Sequence, residues 1–204
     1  NVESAYISAL ILALIISPAH SWQGYMFLFW AGVLAMASKY IVAIGTKHIA
    51  NPAAFAVTFT GIAFGQWATW WVGTAVMLPL VFLGGICIVR KIRRWDMVYS
   101  FLCVSLAAIF VSAVFQKADI VLVAQEVFIY SPLFFFAFVM FTEPLTTPST
   151  RRLQIWYGAF VGLLFAPQTH IGSIYFTPEY ALVLGNIFSY IVSPKEKLKL
   201  KLKE

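Results

Sequence analysis

Charge is scarce in this sequence. Only 11% of its 204 residues are Asp, Glu, Lys or Arg, against about 25% in a soluble domain. That shortfall excludes an ordinary soluble fold, because 61% of the residues are hydrophobic and no soluble surface can cover them. A lipid bilayer can accept them. Cysteine is nearly absent. Cys87 and Cys103 match no zinc or iron–sulfur spacing. Both sit in apolar runs and are expected to be small core residues. Strict alternation of apolar and polar residues is missing, which excludes membrane β-strands. Continuous runs such as Leu133 to Phe141 predict helices instead. No catalytic triad, metal cluster, phosphate-binding glycine loop or nucleotide-fold motif occurs. No catalytic residue and no metal ligand is therefore assigned.

What is present reads as an all-α integral membrane protein. The expected form is a polytopic helical bundle of about six to eight segments. Apolar stretches run over 4–17, 24–43, 52–66, 70–89, 97–115, 120–142, 153–166 and 179–193. A full span needs about 20 residues. The second, fourth, fifth and sixth qualify, and the others predict short or broken helices. The fourteen Lys and Arg test the count. With the 90–96 loop in the cytoplasm and a crossing at each segment, the 39–48, 143–152 and 194–204 regions are cytoplasmic too. Lys117 alone is then outside, which is the positive-inside pattern. The net charge of +6 thus reports topology, not nucleic-acid binding, and both ends are expected inside.

The first residue, Asn1, is not a methionine, so the chain is expected to be a piece of a longer one; no charged region or cleavage site precedes the first apolar run, so a signal peptide is not expected. Residues 1–193 read as the membrane domain. The tail 194–204 alternates Lys with Leu198, Leu200 and Leu202, a period-2 pattern. It reads either as a solvated tail or as the first strand of a soluble domain. A possible internal repeat pairs Glu3 through Pro18 with Glu143 through Pro167.

Three polar places could carry chemistry. Asn51-Pro52 starts a short helix, since Asn caps well and Pro suits the first turn. It is either a capped loop or a helix N-terminus aimed at an anion or electron-rich ring. Thr142 to Arg152 is dense in hydroxyls and prolines directly after an apolar run. It is either an ordinary loop or irregular backbone lining a ligand. Trp67, Trp70 and Trp71 form an interfacial belt or wall a flat cofactor. Glu126, inside the sixth segment, is costly there unless it reaches water. Gly84-Gly85 reads as close helix packing.

These residues carry a resemblance. The chain resembles a family of homologous membrane proteins from two redox complexes, the sodium-pumping NADH:quinone reductase and the Rnf ferredoxin:NAD oxidoreductase. The acid-led opening Glu3-Ser4-Ala5 to Pro18 is similar to that family's first apolar segment. Lys39 with Asn51-Pro52-Ala53-Ala54 resembles its lysine and Asn-Pro-Ala signature. Gly73-Thr74 through Gly84-Gly85 to Arg94-Trp95 is similar to its Gly-Glu-Thr to Ser-Trp-Arg stretch, with Val72, Gly73 and Arg94 departing from it. Phe136 through Thr142-Glu143-Pro144-Leu145-Thr146-Thr147-Pro148 carries the most specific match, followed by Tyr157-Gly158 and Gly185-Asn186.

The resemblance implies a flavin-carrying transmembrane electron-transfer domain of an oxidoreductase in a bacterial inner membrane. It implies FMN or riboflavin, with Asn51, Thr74, Thr142, Glu143, Thr146 and Thr147 as the pocket. The hydroxyls and Asn would bond the ring or its ribityl chain, and Glu143 would accept a proton. The family's Ser-Gly-Ala-Thr attachment motif is missing, Gly65-Gln66-Trp67-Ala68-Thr69 standing in its place. A non-covalent flavin is therefore expected, Thr69 being the nearest covalent candidate. Some single-chain relatives look like this module fused to a cytoplasmic ferredoxin–NADP reductase-like domain, which would bring FAD and NAD(P)H. The expected partners are lipid, flavin and that reductase, as a domain or a separate protein. A vitamin or flavin transporter and a cofactor-free assembly protein are the rival readings.

Overall fold

The computed structural model describes residues 2–44, 47–172 and 174–193. Helices α1 (Val2–Ile15) and α2 (Trp22–Ile41) come first, then a tight antiparallel hairpin of β1 (Ala43–Ile44) and β2 (Lys47–His48). Next follow α3 (Pro52–Phe64), α4 (Leu78–Ile92), α5 (Trp95–Phe115) and α6 (Ile120–Ile129). A short α7 (Leu133–Phe135) runs into a π-helical turn, Phe136–Met140. The chain continues through α8 (Arg151–Phe165), a second antiparallel hairpin of β3 (His170–Ile171) and β4 (Ile174–Tyr175), and α9 (Pro178–Val192). The molecule is an all-α membrane protein. The Lys–Leu tail after residue 193 lies outside the described residues.

Local chemistry sets the helix ends. Ser21 accepts from the Gly24 N–H at 3.2 Å to open α2. Asn51 accepts from the Ala54 N–H at 3.0 Å to open α3, with Pro52 at its first position. Gly65 closes α3 in the left-handed region, φ 67°, where glycine carries no Cβ penalty. Asp119 accepts from Val121 and Leu122 to open α6.

Among the described residues two helices are long and apolar enough to span a bilayer, α2 and α5, and they match the second and fifth segments. The sixth segment is not one straight helix. It breaks at Ser131-Pro132, and its halves bend by 49°, the geometry of a broken span or a re-entrant loop. Proline cannot donate to the ladder there; the Ser131 hydroxyl donates to the Val127 carbonyl at 2.6 Å and accepts from the Leu133 N–H at 3.2 Å. The fourth segment also differs from expectation. Residues 66–77 are irregular, and α4 begins only at Leu78. The irregular stretch is held by side chains: Trp71 Nε1 donates to the Ala13 carbonyl at 2.8 Å, and Trp70 Nε1 to Glu179 Oε2 at 3.0 Å. Trp67 packs under Gly61, where a Cβ would collide with its ring. The three tryptophans anchor a loop, and only Trp67 and Trp71 keep an exposed face.

The correspondence between the two halves differs from the Glu-to-Pro repeat. Glu3 sits in the first turn of α1, whereas Glu143 lies in the loop ahead of α8. The structural likeness is α2–hairpin–α3 with α8–hairpin–α9, each second helix opening on proline. Helices α3 and α9 run antiparallel. The Asn51 N–H at the start of α3 donates to Asn186 Oδ1, late in α9, at 2.8 Å. Trp67, just past the end of α3, meets Tyr180 in the first turn of α9 edge to face, centroids 5.4 Å apart. The two hairpins therefore lie at opposite ends of the bundle, an inverted arrangement of the kind used by membrane proteins with central sites.

Close packing holds α5 to α8. A Cβ on Gly158 would lie 2.5 Å from the Met97 carbonyl oxygen, and one on Gly162 2.7 Å from that of Phe101. Small residues allow such approach where no hydrophobic effect drives helices together. Around this seam stack Phe101, Phe136, Phe141, Tyr157 and Phe165, with Phe141 and Tyr157 near-parallel at 5.0 Å. Gly85 likewise abuts Phe138, while Gly84 faces open space. Cys87 and Cys103 are exposed, not core, and Glu126 is exposed as well. Outward faces carry Ile41, Val76, Phe115 and Ile191, a surface suited to lipid tails.

Gly158→Ala is expected to destabilise by about 1–3 kcal/mol through overpacking, and Gly84→Ala not at all. Denaturant titration in mixed micelles checks this; equal effects would refute the tight α5–α8 seam. In a background lacking Cys87 and Cys103, Tyr40→Cys and Tyr175→Cys should react with an impermeant maleimide from opposite sides of a sealed vesicle. Labelling from one side would break the inverted arrangement.

Candidate functional site

The start of α3 is where polar groups collect. A cavity of about 220 Å³ opens between α1, α3, α4 and the loop after the π-helical turn. Its walls are apolar: Ile7 and Ile11 of α1, Ile88 and Ile92 of α4, Val139, and the rings of Pro52 and Pro144. Its polar end holds Ser4, Ser8, Asn51, Thr142 and Glu143. Three of the six sequence-expected pocket residues, Asn51, Thr142 and Glu143, thus share one cavity.

Thr146 and Thr147 lie just behind. Their hydroxyls donate back to the Glu143 carbonyl at 3.4 and 2.9 Å, and the Thr142 hydroxyl donates to the Phe138 carbonyl at 2.8 Å. These protons close local turns. The three hydroxyls therefore offer lone pairs, not donors. Thr74 lies elsewhere. It borders a gap of about 10 Å³ with Val72, Ser131 and Phe135, room for about one water. Thr69 is also remote from the cavity: its hydroxyl donates to the Ile15 carbonyl at 3.3 Å and receives the Ser17 N–H at 3.0 Å.

Glu143 is the distinctive group. Its Oε2 is buried and has no hydrogen-bond partner, although a carboxylate so placed ordinarily finds one. Burial pushes its pKa up to about 7; Asn51, Lys39 and Thr146 oppose the rise in that order. At neutral pH the carboxyl is poised between its two forms. His48, in the nearby hairpin, has a buried Nδ1 without a partner, and burial lowers its pKa, with Lys39 adding to the effect.

Sequence reasoning did not assign several residues here. Lys39 is 9% exposed, and its ammonium donates to the Ser4 carbonyl at 2.6 Å and the Ser4 hydroxyl at 2.9 Å. Asn186 Nδ2 donates to the buried Tyr157 hydroxyl at 3.0 Å. Glu179 is 1% exposed and tied to Trp70. The Thr177-Pro178-Glu179 helix start mirrors Asn51-Pro52, and that likeness was a usable signal for it. The loop itself is pinned from outside, Arg94 Nη1 and Gln154 Nε2 both donating to the Pro148 carbonyl.

A second groove of about 250 Å³ lies between α2 and α3, lined by Trp22, Met26, Phe27, Trp30, Phe64 and the two glutamines 23 and 66. It has no titratable group. Among the described residues no cluster suits a metal ion.

The apolar walls of the Glu143 cavity, closed at one end by an orphaned carboxyl oxygen and an amide, suit an apolar ring with a polar edge. At 220 Å³ it is smaller than the ~300–1,000 Å³ of a pocket enclosing a whole drug-sized ligand. A ring would sit inside and a side chain would leave through the mouth.

No curated protein matches the chain by sequence. A family model does, over residues 72–197, more than half of the chain. The matched region includes the 142–148 loop, Tyr157 and Asn186, and begins after Lys39 and Asn51. By that match the chain belongs to the NQR2, RnfD, RnfE family, whose members are integral membrane proteins associated with electron-transport complexes.

Proposed function

We propose that this chain is a flavin-binding transmembrane electron-transfer domain. It passes electrons from a cytoplasmic NAD(P)H- or ferredoxin-linked donor through FMN or riboflavin held non-covalently in the Glu143 cavity. The flavin supplies the redox chemistry, and the protein supplies position, electrostatics and a dry surrounding. The observation that carries this reading is the buried, unpartnered Glu143 Oε2 at the polar end of an apolar slot, in a chain of an electron-transport family.

Each residue has a definable task. Asn51 fixes the start of α3, and the helix N-terminus there favours negative charge at the ring edge. Ile7, Ile11, Ile88 and Ile92 exclude water from the faces. Thr142 offers an acceptor at the edge. Thr146 and Thr147 hold the Glu143 backbone and act on the ligand only through it. Glu143 holds or releases a proton near neutrality. Thr74 would contribute only through the fold, because it does not reach the cavity.

Where the donor is a cytoplasmic reductase, fused or separate, that protein would carry FAD and bind NAD(P)H. The membrane is the bacterial cytoplasmic one, with both ends of the chain inside. The inverted α2–α3 and α8–α9 pairs also suit a carrier, so a vitamin or flavin transporter is the second reading. Counterflow of riboflavin into liposomes without reductant would favour it.

The detergent-purified protein is expected to show a flavin absorbance spectrum that moves to the supernatant on acid precipitation. Thr69→Ala should leave both the content and the extraction unchanged. Flavin retained in the wild-type pellet but not in Thr69→Ala would show a covalent link. Glu143→Ala and Asn51→Ala should lower flavin content at least tenfold, about 1.4 kcal/mol. Full flavin content in both variants would move the pocket elsewhere.

A further inference from the structure

Lys39, in the last turn of α2, is a buried charge. A lysine on a membrane-embedded helix marks function or a specific partner, and Lys39 is 9% exposed. It forms no direct ion pair with Glu143, the Arg151–Asp96 contact at 2.8 Å being the salt bridge found among the described residues. Both hydrogen bonds of its ammonium go to Ser4, at 2.6 and 2.9 Å. Ser4 in turn lines the Glu143 cavity. The cation is thus fixed on the α1 side, behind a serine, with the carboxyl on the loop side.

Of the other charged or titratable groups here, Tyr157 from α8 neighbours the carboxyl, His48 from β2 neighbours Lys39, and Arg94 at the α4–α5 junction holds the Pro148 carbonyl of the same loop. Glu3, at the start of α1, is exposed.

We infer that Lys39, Ser4 and Glu143 act as one charge-coupled unit, with Lys39 the positioning residue, and that the cavity takes a planar ligand whose polar edge carries negative charge. The identity of the ring rests on the electron-transfer reading above; the coupling of the two charges does not.

Charge balance sets the preference. With Glu143 ionised, Lys39 offsets it and the site is neutral. A ligand bearing negative charge beside Glu143 would then face a carboxylate in a poorly screened site. Proton uptake by Glu143 removes that repulsion and leaves the Lys39 charge, held behind Ser4, without its counter-charge. An anionic edge is therefore held best below pH about 7, where Glu143 is protonated, and loses up to tenfold per pH unit above it. Removing the cation must shift the balance point, because an opposite charge nearby favours the ionised carboxyl.

The test is an infrared pH titration of the ligand-free protein, the Glu143 carboxyl band being assigned by its loss in Glu143→Gln. Lys39→Met should move the Glu143 midpoint upward by about one pH unit or more. Lys39→Arg should leave it near the wild-type value. Should Lys39→Met fail to fold, Ser4→Ala, which withdraws one contact of the ammonium, should give a smaller shift of the same sign. An unchanged midpoint in the folded variant overturns the coupling. In parallel, riboflavin is reconstituted into wild-type and Lys39→Met protein and its midpoint potential measured. A tenfold weaker hold on the reduced form relative to the oxidised lowers the potential by about 30 mV. Equal potentials overturn the preference for an anionic edge. Failure of the wild type to bind riboflavin would sink the flavin reading instead, and the infrared result would still decide the coupling.

Discussion

The main-chain N–H of Asn51 donates to the side-chain oxygen of Asn186 at 2.8 Å, and the arrangement of the two helical hairpins turns on that bond. It joins the first turn of α3 to the far half of α9, so it fixes the antiparallel pairing. Asn51 then uses its own side chain to cap α3. Asn186 uses its amide nitrogen on Tyr157, which ties α9 to α8. Two side chains thus satisfy a helix end and a buried phenol together. In a bilayer, where water cannot substitute, an unmet group of this kind costs several kcal/mol.

The same constraint explains the irregular segments. Residues 66–77 lie against the end of α1, where the Ile15 carbonyl receives the Thr69 and Trp70 N–H groups and the Leu14 carbonyl receives that of Val72. Gly73 is needed because a Cβ there would lie 2.7 Å from the Ser131 backbone. The 142–150 loop is closed by its own threonines and by Arg94 and Gln154 converging on the Pro148 carbonyl. The first loop is held by main-chain bonds to α1 with Trp70 and Trp71, the second by side chains, each doing what a helix ladder does elsewhere. Side chains locked by such bonds are what a site wall requires.

Much of the fold was legible, and the failures share one cause. Hydropathy found the second and fifth segments because a long apolar helix and a long apolar run look alike. It overextended the fourth, because Trp70 to Met77 is apolar in composition but irregular in backbone. It missed the break in the sixth, although Ser131-Pro132 was a visible signal. At the site, Asn51 was legible as a cap and Glu143 as a carboxyl beside a polar loop. The use of Thr146 and Thr147 was not, because whether a hydroxyl turns outward or back onto its own turn depends on backbone geometry. Lys39 could be seen as a charge in an apolar run, but its partner Ser4 lies on another helix, thirty-five positions away. Long-range pairing of that kind is invisible to spacing.

The polar end of the cavity has a chemical bias that follows from these commitments. Thr142, Thr146 and Thr147 have turned their protons inward. Asn51 has given its oxygen to Ala54. What faces the cavity is the Asn51 amide N–H2, acceptor lone pairs, one carboxyl of variable protonation and one cation set back behind a serine. The Asn51 amide and the cation suit a ligand edge that accepts or carries negative charge. A group that can change its proton count converts that fixed recognition into a response to charge. Glu143, held near its midpoint at neutral pH, is the one member of the wall outside the spans able to do so. The rest of the site is built to stay still around it.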